Sequence, residues 1–287
     1  MTTPPSGYSP SPFRIEREAA KARAGRRALA VAALSTVAVA ALLYLAITRT
    51  PGWERVQTAF FSPEYALKAL PDVLKGLWLN LRVMVVCELF ILAIGLAVAL
   101  ARTTRSPVLF PLRLLAAAYT DVFRGLPLLL VILLLGLGVP ALRIEGLTNS
   151  VVVWGSVALV LTYSAYVAEV IRAGIESVHP TQRMAARALG LSTAQTNRHV
   201  ILPQAIRRVV PPLLNDLVSL QKDSGLISVL GAIDAIKAAS IITATSFNFT
   251  PYVTAGVVFV LLTIPMARLA DAVTARMSRA QQQGESA

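Results

Sequence analysis

The chain has 287 residues, of which 55% are hydrophobic and 15% charged, and it carries a formal net charge of +12. An ordinary soluble domain has about a quarter of its residues charged, so this composition argues against a soluble fold and for a polytopic helical membrane protein. The basic balance does not point to nucleic acid, because 19 of the 27 Lys and Arg fall in four segments beside apolar stretches, within 14–27, 102–124, 172–208 and 268–279. The positive-inside rule places such segments in the cytoplasm.

Residues 1–27 begin rich in Pro and Ser and end basic, which reads as a flexible cytoplasmic tail whose last turns can be helical against anionic lipid. Ala28 to Thr48 is a first span. It is too long for the apolar part of a cleaved leader and lacks a good cleavage site. The polar stretch 49–72 is an external segment with Pro51, Pro63 and Pro71 as breakers. Ser62-Pro63 starts a short helix within it. A second span runs from Val73 to Ala101. Cys87 lies in it without a disulfide partner and reads as packing. Arg82 is placed to snorkel toward the outer interface near Trp78, whereas Glu88 must face protein or pathway.

The third apolar stretch, 108–139, is too long for one straight helix, and Gly125 with Pro127 predicts a kink or break. Asp121 and Arg124 flank that point and suit a local pair. The fourth span, 150–171, ends near Glu169 and Arg172, three apart on one helix face and suited to a stabilising pair.

Between spans four and five lies a basic, half-apolar stretch, "RMAARALGLSTAQTNRHVILPQAIRR", from Arg183 to Arg208. Pro180 suits the first turn of a helix running to Leu189, and Gly190 supplies a left-handed end. Ser192 with Gln195 forms a capping box for a second helix, Thr193 to Ile201, before Pro203 interrupts. The product is a helix–turn–helix elbow at the cytoplasmic surface. Met184, Ala185, Ala188 and Leu189 recur at helical spacing, and the small residues Ala185, Ala186 and Ala188 permit close approach by a partner's groove. Such a face suits either a protein groove or lipid headgroups.

Spans five (209–232) and six (251–270) complete six crossings, with both termini and all basic segments inside. Trp53, Trp78 and Trp154 fall near the outer ends. Lys222 and Asp223 sit about 21 Å beyond Arg208 at 1.5 Å per residue, past the bilayer centre. Next to Ser224 and Gly225, which suit a helix break, they read either as pathway or gate residues or as a structural pair. His179 and His199 have no Cys or carboxylate at ligand spacing, so no metal site is expected.

The elbow resembles the EAA loop of ABC-importer permeases: Ala185, Ala186, Gly190, Leu202 and Pro203 match its spacing, with Met184 where the family has Glu and Val200 where it has Ile. Three further blocks resemble the polar-amino-acid branch of that family. They are "YTDVFRGLPLLL" (Tyr119 to Leu130), "SAYVAEVIRAGIESVHPTQ" (Ser164 to Gln182) and "PPLLNDLVSLQKDSGLISVLG" (Pro211 to Gly231). The likeness covers residues 70–272 and implies an all-α type I importer permease fold with a cytoplasmic coupling helix. Residues 1–70 extend beyond the family core, and residues 273–287 form a second cytoplasmic tail.

The resemblance implies a paired permease, the same chain or a relative, seated on two cytoplasmic ABC ATPases and served by an extracytoplasmic amino-acid-binding protein. It implies coupling through Ala185, Ala186, Leu189, Gly190, Leu202 and Pro203. Independently of the resemblance, the cost of ionisable groups within spans makes Lys222, Asp223 and Glu88, with Ser224 beside them, candidates for the substrate pathway or gate, or else structural groups facing neighbouring spans. No G-x-x-x-x-G-K-[ST] motif occurs, so ATP and Mg belong to the partner, and the chain is not expected to be an enzyme or to bind a cofactor. The location implied is a bacterial plasma membrane. The competing reading, a secondary transporter working without an ATPase, calls for repeated halves with matching broken helices and leaves the elbow unexplained. An intramembrane enzyme would need a nucleophile–base pair or metal cluster within the spans.

Overall fold

The computed structural model describes residues 11–104 and 106–285; among these, helices predominate and there is no β-strand. They divide after Thr58 into two compact units. The first holds helix α1 (Pro12–Thr48) and most of α2 (Trp53–Phe60). Extended Ser11 leads into Pro12 at the first helical position, where proline's fixed φ suits the turn. The apolar part of α1, Ala24–Thr48, is long enough to cross a membrane. The helix therefore starts inside the stretch expected as a flexible tail. Ala, Arg, Glu and Lys are good helix formers, and extending an existing helix over them is cheaper than nucleating one. Residues 1–10 of that expected tail lie outside the described residues.

The second unit's first long helix is α3 (Pro63–Thr103), which starts as expected after extended Ser62 with Pro63 at the first helical position, although the Ser62 side chain makes no capping bond. Pro71 does not break it, so much of the segment expected to be external belongs to one 41-residue helix. The lost hydrogen bond would have run to the carbonyl of Leu67, near the start of the helix. Ala69, Val73, Gly76, Leu77, Asn80, Met84, Cys87, Ile91 and Gly95 are buried at three- and four-residue spacing, one face of the helix.

Helix α4 (Phe110–Gly125) is followed by α5 (Leu128–Ala141), which holds a π turn at Leu134–Gly138, and the two meet at 103°. A corner replaces the expected kink because two successive residues leave helical geometry: Leu126 has ψ 137°, which the following proline favours, and Pro127 has ψ 130°. Next come α6 (Val151–Glu176), α7 (Pro180–Ala188), α8 (Thr193–Thr196), α9 (Leu202–Asp223), α10 (Ala235–Ser246) and α11 (Thr250–Glu285). A 3₁₀ stretch, Ser224–Leu230, links α9 toward α10, and the whole runs with a 47° bend. By length and composition, four helices suffice to cross a membrane, or six spans if each bent pair counts as one.

The main core joins α3, α5, α6, α9 and the 3₁₀ stretch through Met84, Cys87, Ile91, Ile132, Leu159, Val167, Leu220 and Ile227. A second buried node is polar. The Asn80 amide donates to Asp234 Oδ2 (3.1 Å), the Ala235 amide donates to Asn80 Oδ1 (3.2 Å), and Asp234 Oδ1 accepts from the Lys237 amide (2.8 Å). Asp234 thereby caps α10 and locks it to α3. One turn before Asn80, a Cβ on Gly76 would overlap the backbone of Asp234 and Ala235. Backbone cannot rotate away as a side chain can, so Gly76→Ala is expected to cost about 3 kcal/mol or more. A lower thermal-inactivation temperature in detergent would report it.

Candidate functional site

The elbow is built from local chemistry. At its start, His179 Nδ1 accepts from the Thr181 amide (3.3 Å). At the end of α7, Gly190 has φ 81°, its amide donates to Arg187 O (3.0 Å), and the Leu191 amide donates to Ala186 O (3.1 Å). This paired arrangement is a Schellman ending, and the left-handed residue is the glycine predicted for it. The capping box is also present: the Gln195 amide donates to Ser192 Oγ (3.3 Å) and the Ser192 amide donates to Gln195 Oε1 (2.9 Å).

Beyond that point the expected interruption does not occur. α8 passes through a π turn, Asn197–Ile201, straight into α9. Pro203 removes the amide that would have bonded His199 O, and the wider turn just before it absorbs that loss and the bulk of the ring.

The two faces of the elbow differ in a way that spacing alone did not show. Met184 (61% exposed) and Leu189 (82%) project outward, as do Ala185, Leu202 and Pro203. Ala186 is only 4% exposed and faces inward where α7 packs on the π turn, so its small size serves the elbow's own packing rather than a partner. Beneath lie Val178, Ile201 and Ala205. Arg208 donates to the Ser177 carbonyl and, at 3.0 Å, to Ser177 Oγ, tying α9 to the end of α6.

A second feature lies on α6, above the elbow. The expected Glu169–Arg172 pair forms at 2.5 Å, and Arg172 also pairs with Glu176. Two more cations converge on the same carboxylate: Arg102 at the end of α3 (2.7 Å) and Arg124 at the corner of α4 (3.8 Å). The expected Asp121–Arg124 pair is replaced, since Arg124 turns to Glu169 and stacks over Tyr166 (5.9 Å to the ring centre). Glu169 thus joins three helices. Arg102 was not singled out beforehand, because a partner 67 residues away leaves no local pattern.

The interruption near Lys222 is real: α9 ends at Asp223 and tightens to 3₁₀ at Ser224. The two charges do not act together. Asp223 accepts from the Tyr163 hydroxyl of α6 (2.7 Å), while Lys222 is exposed and borders a groove lined by Ile236, Phe259, Val260, Thr263 and Ile264. Ser224 is fully buried and donates to Gln221 O (2.7 Å). Glu88 is half-buried on α3, within electrostatic reach of Asp216 of α9. One oxygen of Asp216 is buried without a hydrogen-bond partner.

Helices long and apolar enough to cross a membrane, an outward-facing basic elbow and ionisable groups within those helices are the features of a membrane transport component. The comparisons with known proteins agree. Residues 91–279 match the family described as the binding-protein-dependent transport system inner membrane component, and the chain belongs to that family of ABC-importer permeases. A Rickettsia conorii protein named as a glutamine transport system permease, GlnP, is 34% identical over 218 residues, 75% of this chain and 98% of its own. The arginine transport system permease ArtQ of Bacillus subtilis is 32% identical, over 72% of this chain and 93% of its own. Among solved structures, an amino acid ABC transporter with histidines is similar at TM-score 0.67 and 33% identity, covering 73% of this chain and 96% of that one. The inward-facing methionine transporter MetNI shares the fold at TM-score 0.56 and 20% identity, over 71% of this chain and 95% of that one. The type I permease fold is therefore the fold of this chain. Helix α1 lies outside the matched stretch.

Proposed function

We propose that the chain is the membrane-spanning subunit of an ATP-driven importer of amino acids, with its termini in the cytoplasm of a bacterial cell. It pairs with a second permease, takes substrate from an extracytoplasmic binding protein, and docks its elbow into a groove on an ABC ATPase. The observation that carries the reading is the elbow itself. Its turn and second helix are fixed by backbone and capping bonds, yet it turns Met184, Ala185 and Leu189 outward. An elbow resting only on lipid needs no such preorganised turn.

The route from elbow to spans is contiguous. Movement of α7 acts on the end of α6 and, through Arg208, on α9; from α6 it reaches α3 and α4 through Glu169. Closure of an ATPase pair beneath would rock these helices together. Lys222, Asp223, Ser224 and Glu88 stand where α9 is interrupted or faces it, and we assign them to the pathway or its gate. ATP and Mg belong to the partner.

Uptake of radiolabelled amino acids into proteoliposomes tests this reading. Transport is expected only when permease, ATPase, ATP and binding protein are all present. Uptake by the permease alone, driven by an ion gradient, would replace the reading with a secondary transporter.

A further inference from the structure

The connection between α10 and α11 is a three-residue corner, Phe247 to Phe249, and it carries a strained aromatic. Phe247 has φ 52°, in the left-handed region, and its ring is 85% exposed. A non-glycine residue held there costs roughly 1 kcal/mol or more, and such strain persists only where the surroundings impose it. Here they do. The Phe247 amide donates to Thr243 O (2.8 Å), the Asn248 amide to Ser246 Oγ (3.3 Å) and the Thr250 amide to Asn248 Oδ1 (2.9 Å). From the end of α2, Ala59 O accepts from the Phe249 amide (2.7 Å) and Phe60 stacks on Phe249 (5.1 Å between centres), and just before α3 the Ser62 amide donates to Thr250 Oγ1 (3.0 Å). Phe249, 44% exposed, stacks back on the chain, whereas Phe247 is the ring the corner holds out.

The position of the corner decides what it meets. It lies at the far end of the bent span that starts at the elbow, and at the same level as the start of α3, opposite the Arg102 end. On the topology proposed above, that is the extracytoplasmic face. Of the flanking polar residues, Thr243, Asn248 and Thr250 are buried within the corner, Ser246 is half-buried and Thr245 is exposed, so the polar groups mostly build the corner while Phe247 projects from it. A lipid-facing ring needs no left-handed backbone, since an ordinary helical position presents one.

We infer that Phe247 is an aromatic anchor for the extracytoplasmic binding protein, one ring per permease, inserted into an apolar recess on that protein's membrane-facing surface. The inference rests on the importer reading and on membership of a binding-protein-dependent family. Rigid, preorganised aromatics are the side chains that most often dominate such contacts.

The test uses the assembled transporter in lipid nanodiscs with purified binding protein. Phe247→Ala is expected to raise the binding-protein concentration for half-maximal ATPase stimulation roughly tenfold or more, with Phe247→Tyr close to wild type. Phe247→Gly, which relieves the backbone strain, is expected to fold at least as well and to lose affinity equally. Cys87 is buried, so Phe247→Cys can be labelled selectively with a water-soluble maleimide carrying a fluorophore, and docking is expected to shield the label. Wild-type concentration dependence in Phe247→Ala and Phe247→Gly would overturn the anchor and leave the importer reading standing. A label quenched by brominated acyl chains and indifferent to the binding protein would make Phe247 a lipid contact. A wild-type assembly indifferent to the binding protein would overturn both readings.

Discussion

Leu189→Asp is expected to abolish ATP-driven uptake while the chain still inserts and folds. Leu189 is 82% exposed and forms the end of α7 just before the Gly190 turn, so the new carboxylate disturbs no internal packing. In the apolar groove of a partner it is buried without a counter-charge, a cost of several kcal/mol that removes docking. Ala185→Asp, on the same outward face, is expected to behave alike. Ala186→Asp is a poor probe, because Ala186 is 4% exposed inside the elbow and a charge there unfolds the elbow itself. Gly190→Pro fails for a third reason: proline cannot adopt φ 81° and lacks the amide that bonds Arg187 O. ATPase retained by wild type but lost from Leu189→Asp in a pull-down would separate docking from folding. Normal uptake by a well-inserted Leu189→Asp variant would remove the elbow from the mechanism.

Glu169→Gln is the second large effect. Its carboxylate, 21% exposed, is shared by Arg102, Arg124 and Arg172. Without it, three guanidinium groups face one another with only Glu176 left to Arg172. Removing the shared anion of a half-buried ion cluster leaves uncompensated charge, screened in part by solvent at Arg124, and about 1–2 kcal/mol of stability is expected to go. If Glu169 also carries motion from elbow to spans, the surviving protein hydrolyses ATP with little uptake. Adding Arg102→Gln to Glu169→Gln is expected to recover stability by removing one orphaned cation, without restoring coupling; this non-additivity is measurable as a double-mutant cycle. Unaltered stability and uptake in Glu169→Gln would make the cluster a bystander.

The features legible in advance are those governed by neighbours in sequence. The Ser62-Pro63 start, the Gly190 ending and the Ser192–Gln195 capping box depend on residues a few positions apart, and all are present. Pro71 and Pro203 were read as breaks because a lone proline lacks its amide; α3 instead carries Pro71 within it, and a π turn precedes Pro203. Ser224 and Gly225 marked the interruption but not the divergence of the charges before it, since the directions of Lys222 and Asp223 depend on which helices pack against α9. The polar node of Asn80 and Asp234 joins residues 154 apart; its local trace is one amide and one carboxylate within apolar runs. The inward turn of Ala186 follows from α7 folding back on the π turn, a contact that helical periodicity does not encode.

The central claim is that the elbow couples this permease to a separate ATPase. It is tested most directly by purifying the tagged chain from its native membrane in mild detergent and identifying what accompanies it. One ABC ATPase per permease, lost from the Leu189→Asp variant, is the predicted result. A chain that purifies without an ATPase, yet transports when reconstituted alone, would contradict the account.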